Sequence, residues 1–102
     1  MSDYEKQVGD RLRAIMQAFG ISTNPKMASI CDTTPSAVNN WLLGNNLPRV
    51  PEMIRLCERT GVTLDWIYRG STSSIEPGKA KALNLIAHQR ESLNDGERVR
   101  SV

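Results

Sequence analysis

Aromatic side chains make up only 5% of the 102-residue chain, with a single phenylalanine. A core built from this composition must be aliphatic, and the length provides for one small core. No apolar run approaches the roughly 20 residues that span a bilayer. The opening MSDYEKQ carries no hydrophobic stretch of the kind a secretion signal needs. Both absences predict a cytoplasmic chain with no membrane partner. Cysteine is scarce: Cys31 and Cys57 have neither CxxC spacing nor histidine neighbours. They are expected to be reduced, buried, apolar residues rather than metal ligands or a disulfide. The one histidine, His88, cannot build a convincing triad with a serine and is given no role. There is no phosphate-cradling glycine loop and no metal-ligand cluster. Catalysis, a metal and a cofactor are therefore not expected, nor is a small-molecule ligand. Strand signals and internal repeats are lacking too.

What is present is helical periodicity broken by good stops. Val8, Leu12, Ile15, Met16 and Phe19 form one stripe over Asp3 to Phe19, with Ser2 and Glu5 as a capping box and Gly20 as a left-handed stop. Arg11 and Arg13 fall off that stripe and are read as solvated. A short second helix starts at a Thr23 cap and ends near Asp32, with Met27, Ile30 and Cys31 inward. Thr34 and Pro35 start a third helix, Gly44 ends it, and Val38, Trp41 and Leu42 at i, i+3, i+4 face inward. That phase makes Trp41 a core residue rather than a base-stacking one, and Trp66 is read likewise. A fourth helix runs from Pro51 to about Thr60 on Met53, Ile54, Leu56 and Cys57. A fifth, capped by Thr63, packs Leu64, Trp66 and Ile67 inward and ends at Gly70. Ser71 to Ser74 reads as a linker. A further helix over about 78–93 has only a loose apolar stripe, with Lys79 and Lys81 as solubilising charges, and the chain ends in a tail. The expected architecture is all-α: a compact five-helix domain over 1–70, then linker, short helix and tail over 71–102.

The stretch from Thr33 to Pro48 contains no charge in sixteen residues, although 24% of the chain is charged. Its helix presents Ser36, Asn39, Asn40 and Leu43 outward. Two asparagines on a solvent face are by themselves an ordinary finding. Here they follow a very short link from the second helix, and helix, tight turn and polar outer helix make a helix-turn-helix pattern. Small Ala28 lets the second helix pack closely and Val38 fills the gap from the third, fixing an angle that lets the outer helix protrude into a major groove. The net charge of +2 says little. Between Arg11 and Arg55 the balance is more basic: Arg11, Arg13, Lys26, Arg49 and Arg55 against Asp32 and Glu52.

The run TNPKMASICDTTPSAVNNWLLGNNLP, followed by the Glu52 to Arg59 helix and GVTLDWIYRG, resembles the lambda-repressor-like helix-turn-helix proteins, the Cro and xenobiotic-response-element class. The resemblance spans about Tyr4 to Gly70. It rests on the combination of Ala28, Val38, Trp41, Gly44, Pro48 and the Leu64-Asp65-Trp66 to Gly70 ending. It implies that the third helix reads base edges through Thr34, Pro35, Ser36 and Asn40, with Asn39 at the margin. An asparagine amide can bond adenine N6 and N7 together. It implies phosphate contacts from Thr23, Asn24 and Lys26 at the start of the second helix, and from Asn45 and Arg49 after the third. Three positions depart from the family pattern. Asn24 stands where glutamine is common, and Asp32 holds the turn position often taken by glycine. Pro35 offers a would-be reader without a donor.

The function this implies is a sequence-specific regulator of double-stranded DNA: a phage or prophage-type repressor that blocks polymerase sterically. As a homodimer it would bind two half-sites about 34 Å apart. Helix five or the segment 76–93 would supply the dimer surface. A chain of this length has no room beside such a domain for a ligand sensor or the self-cleaving domain of longer phage repressors. The alternatives are the antitoxin of a toxin–antitoxin pair, with its tail wrapping the toxin, and an antirepressor-like protein-interaction module on the same fold.

Overall fold

The computed structural model describes residues 3–72, 77–79, 81 and 83. Ser2 of the expected capping box lies outside the described residues. So do His88 and most of the 76–93 segment considered for a helix and a dimer surface. Five helices follow in order: α1 (Asp3–Ala18), α2 (Asn24–Cys31), α3 (Pro35–Leu43), α4 (Val50–Thr60) and α5 (Leu64–Arg69). Residues 77–79, 81 and 83 are helical as well, and there is no strand among the described residues. No described helix is long and apolar enough to cross a membrane.

Local chemistry sets the breaks. Threonine caps three helices: the Thr23, Thr34 and Thr63 hydroxyls accept from the Lys26, Ala37 and Trp66 amides at 3.3, 3.1 and 3.1 Å. Each such cap stabilises its helix by about 1 kcal/mol. α4 starts one residue earlier than expected, at Val50, and Arg49 makes no side-chain cap.

The core gathers Val8, Leu12 and Ile15 of α1, Met27, Ala28 and Cys31 of α2, Val38, Trp41 and Leu42 of α3, Met53 and Leu56 of α4, and Trp66 and Ile67 of α5. Met16, Phe19, Ile30, Cys57 and Leu64 pack against it only partly buried. Ile54 does not join it and is 43% exposed. Met53, Leu56 and Thr60 are the buried face of α4. A residue one step from Met53 is turned roughly 100° around the helix, away from that face. Thr60 is buried on that face, its hydroxyl donating to the Leu56 carbonyl at 2.8 Å and accepting from the Val62 amide at 3.3 Å.

Three charges read as solvated are tethers. Arg11 donates to the Ile67 carbonyl at 3.1 Å and Arg13 to the Leu42 carbonyl at 3.3 Å, so α1 holds the carboxyl ends of α5 and α3. Cations suit helix carboxyl ends, where unsatisfied carbonyls concentrate negative partial charge. Lys79 does the same for α4, donating to the Thr60 carbonyl at 3.3 Å, with its ammonium 5.9 Å from the Phe19 ring centre. Leu83 nearby is fully buried with the core.

α1 and α3 approach closely at Gly9, which is buried. A Cβ built there would stand 2.7 Å from the Trp41 carbonyl oxygen and 2.9 Å from that of Leu42. Only glycine fits this crossing, which sets how α3 sits on the body.

Candidate nucleic-acid interface

α2 ends in a left-handed residue, Asp32, at φ 57 and ψ 55. The Thr33 amide returns to the Ala28 carbonyl at 2.9 Å, closing the turn. Aspartate tolerates this conformation better than most residues, so the position that favours glycine is filled here without losing the turn. Arg55 of α4 braces it, 3.5 Å from the Cys31 carbonyl and 4.0 Å from the Asp32 carboxylate. Ala28 and Val38 are both buried between α2 and α3.

The outer side of this unit holds the expected readers. Thr34, Pro35, Ser36 and Asn39 are exposed and Asn40 is half-buried. Leu43 adds an apolar group at 49% exposure. The Thr34 hydroxyl is engaged as a cap acceptor but keeps its proton to donate. Of the expected phosphate contacts, Thr23, Lys26, Asn45 and Arg49 are exposed and Asn24 half-buried. The Lys26 ammonium donates to the Ser22 hydroxyl at 3.0 Å. Arg49 lies 3.8 Å from Glu52, which also approaches Arg55 at 3.9 Å. The Arg49 side chain remains 80% exposed. In that setting its pairing with Glu52 is worth at most about 1 kcal/mol, so a phosphate can compete for it.

α3 closes in a Schellman turn. Gly44 is left-handed at φ 78, its amide meets the Trp41 carbonyl at 3.1 Å, and the Asn45 amide meets the Asn40 carbonyl at 2.9 Å. The turn folds Asn45 back over the helix. Its side-chain amide nitrogen then donates to the Asn40 side-chain oxygen at 3.1 Å. Two residues expected in separate roles are thus brought into contact. The loop beyond is pinned by Tyr68, whose hydroxyl donates to the Pro48 carbonyl at 2.7 Å. Burial, with help from Tyr4, Cys57 and Glu52, pushes the Tyr68 phenol up to about 12, so it keeps that proton.

Tyr68, Arg55, Arg13 and Gly9 have no place in the interface as read from sequence, yet they set its shape. Their partners are remote in the chain, and no local pattern announces them. Gly44 as the end of the third helix is legible in the sequence and carries a signal, because the left-handed Schellman turn it forms brings the residue after it back to the last turn of the helix.

A short helix, a tight turn and a rigidly capped helix with an uncharged polar outer face define a helix-turn-helix DNA-binding protein. More particularly, the profile of the bacteriophage CI repressor helix-turn-helix domain matches residues 10–74, well over half of the chain, and the chain belongs to that family. It is a DNA-binding regulator of the repressor type. No curated protein and no solved structure gives a significant match.

Proposed function

We propose that the chain recognises a specific double-stranded operator by laying α3 in the major groove and represses transcription by occluding polymerase. The supporting observation is the outer face of α3: exposed hydroxyls and amides, no charge, on a helix fixed at both ends. Charged groups bind every phosphate alike, whereas amides and hydroxyls distinguish base edges. In this reading Thr34, Ser36, Asn39 and Asn40 read bases and Pro35 makes steric contact. Thr23, Asn24, Lys26 and Arg49 hold the backbone. Two copies bind half-sites about one helical turn, ~34 Å, apart.

Selection of bound fragments from a random DNA pool tests this directly. A two-half-site consensus is expected, with affinity falling with salt at a log–log slope of about −0.9 per phosphate contacted. Failure of every pool to give retained, salt-sensitive binding overturns the reading and leaves a protein-interaction module on the same fold.

A further inference from the structure

The bond between the two side-chain amides of Asn40 and Asn45 bears on how a base is read. We propose that Asn45 is a positioning residue for base recognition, orienting the Asn40 amide, and not a phosphate contact. The inference rests on the reading of Asn40 as a base reader.

The geometry is built in three steps. Gly44 takes φ 78, which a residue with a Cβ adopts only under strain. A Cβ there would also lie 2.9 Å from Lys6 Cγ and 3.1 Å from its Cα. The turn so formed joins Asn45 to Asn40 through the backbone, amide to carbonyl at 2.9 Å. With the backbones tied, the Asn45 side-chain nitrogen sits 3.1 Å from the Asn40 side-chain oxygen.

The chemical consequence concerns the sense of the amide. A free asparagine can turn its amide over and offer donor or acceptor at either end. In the bond seen here Asn45 donates, with the Asn40 oxygen on its side and the Asn40 nitrogen at the other end. The oxygen has a second lone pair, which stays available to a base donor such as adenine N6, while the nitrogen can donate to N7. The bond therefore holds the Asn40 amide in place before DNA arrives, and in the sense seen here it presents that arrangement. Immobilising a side chain in advance is worth about two- to ten-fold in affinity.

The test uses the full chain and the selected operator, together with the three base-pair substitutions at the position where Asn40→Ala relaxes discrimination. Asn45→Ala is expected to weaken the cognate site about two- to ten-fold and the three substituted sites less, narrowing the discrimination at that base pair. The double variant Asn40→Ala/Asn45→Ala is expected to bind no worse than Asn40→Ala alone, because the second change removes only support for the first. Asn45→Asp supplies an acceptor in place of the donor. It should turn the Asn40 amide over and shift preference at that one base pair. Uniform weakening by Asn45→Ala on all sequences, the cognate site and its three substituted forms alike, would make Asn45 a phosphate contact and overturn the proposal alone. If Asn40→Ala relaxes discrimination nowhere, the base-reading assignment and the proposal fall together.

Discussion

Replacing Gly9 with alanine sets two effects of opposite sign against each other. Gly9 is inside α1, where alanine is favoured over glycine by about 0.8–1.0 kcal/mol. Propensity alone therefore says that Gly9→Ala stabilises the protein. The new Cβ would stand 2.7 and 2.9 Å from the carbonyl oxygens of Trp41 and Leu42, short of the 3.4–4 Å of ordinary contact. These are backbone atoms of α3 and cannot rotate aside. Overpacking a tight site costs about 1–3 kcal/mol, and immovable neighbours put this site in the upper half of that range. The net expectation is a loss of about 1–2 kcal/mol, or roughly 5–15 °C in melting temperature for a domain of this size. Urea denaturation followed by circular dichroism measures it. Gly20→Ala is the control: Gly20 is left-handed at φ 69, and a Cβ there meets nothing within 4 Å. Its loss, about 1–2 kcal/mol, would report conformation without crowding. A Gly9→Ala protein as stable as its parent, or more stable, would refute the argument that this contact sets the α1–α3 crossing.

Asn40→Ala should lower affinity for the cognate operator by about 1–3 kcal/mol and relax discrimination at one base pair; equal loss on every sequence would remove it from the readers. Arg49→Ala should weaken all DNA alike and reduce the salt slope by about one unit, and an unchanged slope in a filter-binding titration would exclude the phosphate contact. Leu83→Ala should cost about 2–5 kcal/mol if this fully buried side chain belongs to the cooperative core, and an unchanged urea midpoint would argue that it does not. Burial raises both thiols, Cys31 and Cys57, from 9.0 to about 11. The unfolded chain gives up these protons first as pH rises, so their contribution is complete below about pH 9 and is lost through about pH 11. Urea midpoints across that window should fall, less so in Cys31→Ala, while native Cys31 should resist thiol reagents at pH 8.

The helices and their ends were legible because their causes are local. Thr23, Thr34 and Thr63 bond amides three residues ahead, and Gly44, Gly61 and Gly70 take the left-handed turn that follows a helix. The inward phase of Val38, Trp41 and Leu42 follows from spacing alone, and so does the polar outer face of α3. Ile54 stands outside the core because apolar character alone does not say how wide a face the neighbours leave, and Met53, Leu56 and Thr60 fill that face. The tethers from Arg11, Arg13 and Tyr68 were out of reach for another reason. They join residues 56, 29 and 20 positions apart, and a charged or phenolic side chain gives no sign of which carbonyl it will meet. The Asn40–Asn45 contact lies between these cases, local in sequence yet visible only once the turn at Gly44 is built.

Among the described residues, Ser36 and Asn39 have no side-chain hydrogen-bond partner, and both lie exposed on α3. The scaffold does not depend on them, so their identities can drift singly while the fold persists. Asn40 is different, because exchanging it removes the side-chain partner of Asn45. On the proposed reading of α3 as the base-reading helix, a lineage altering its operator address would revise the first two letters one at a time and the third only in company.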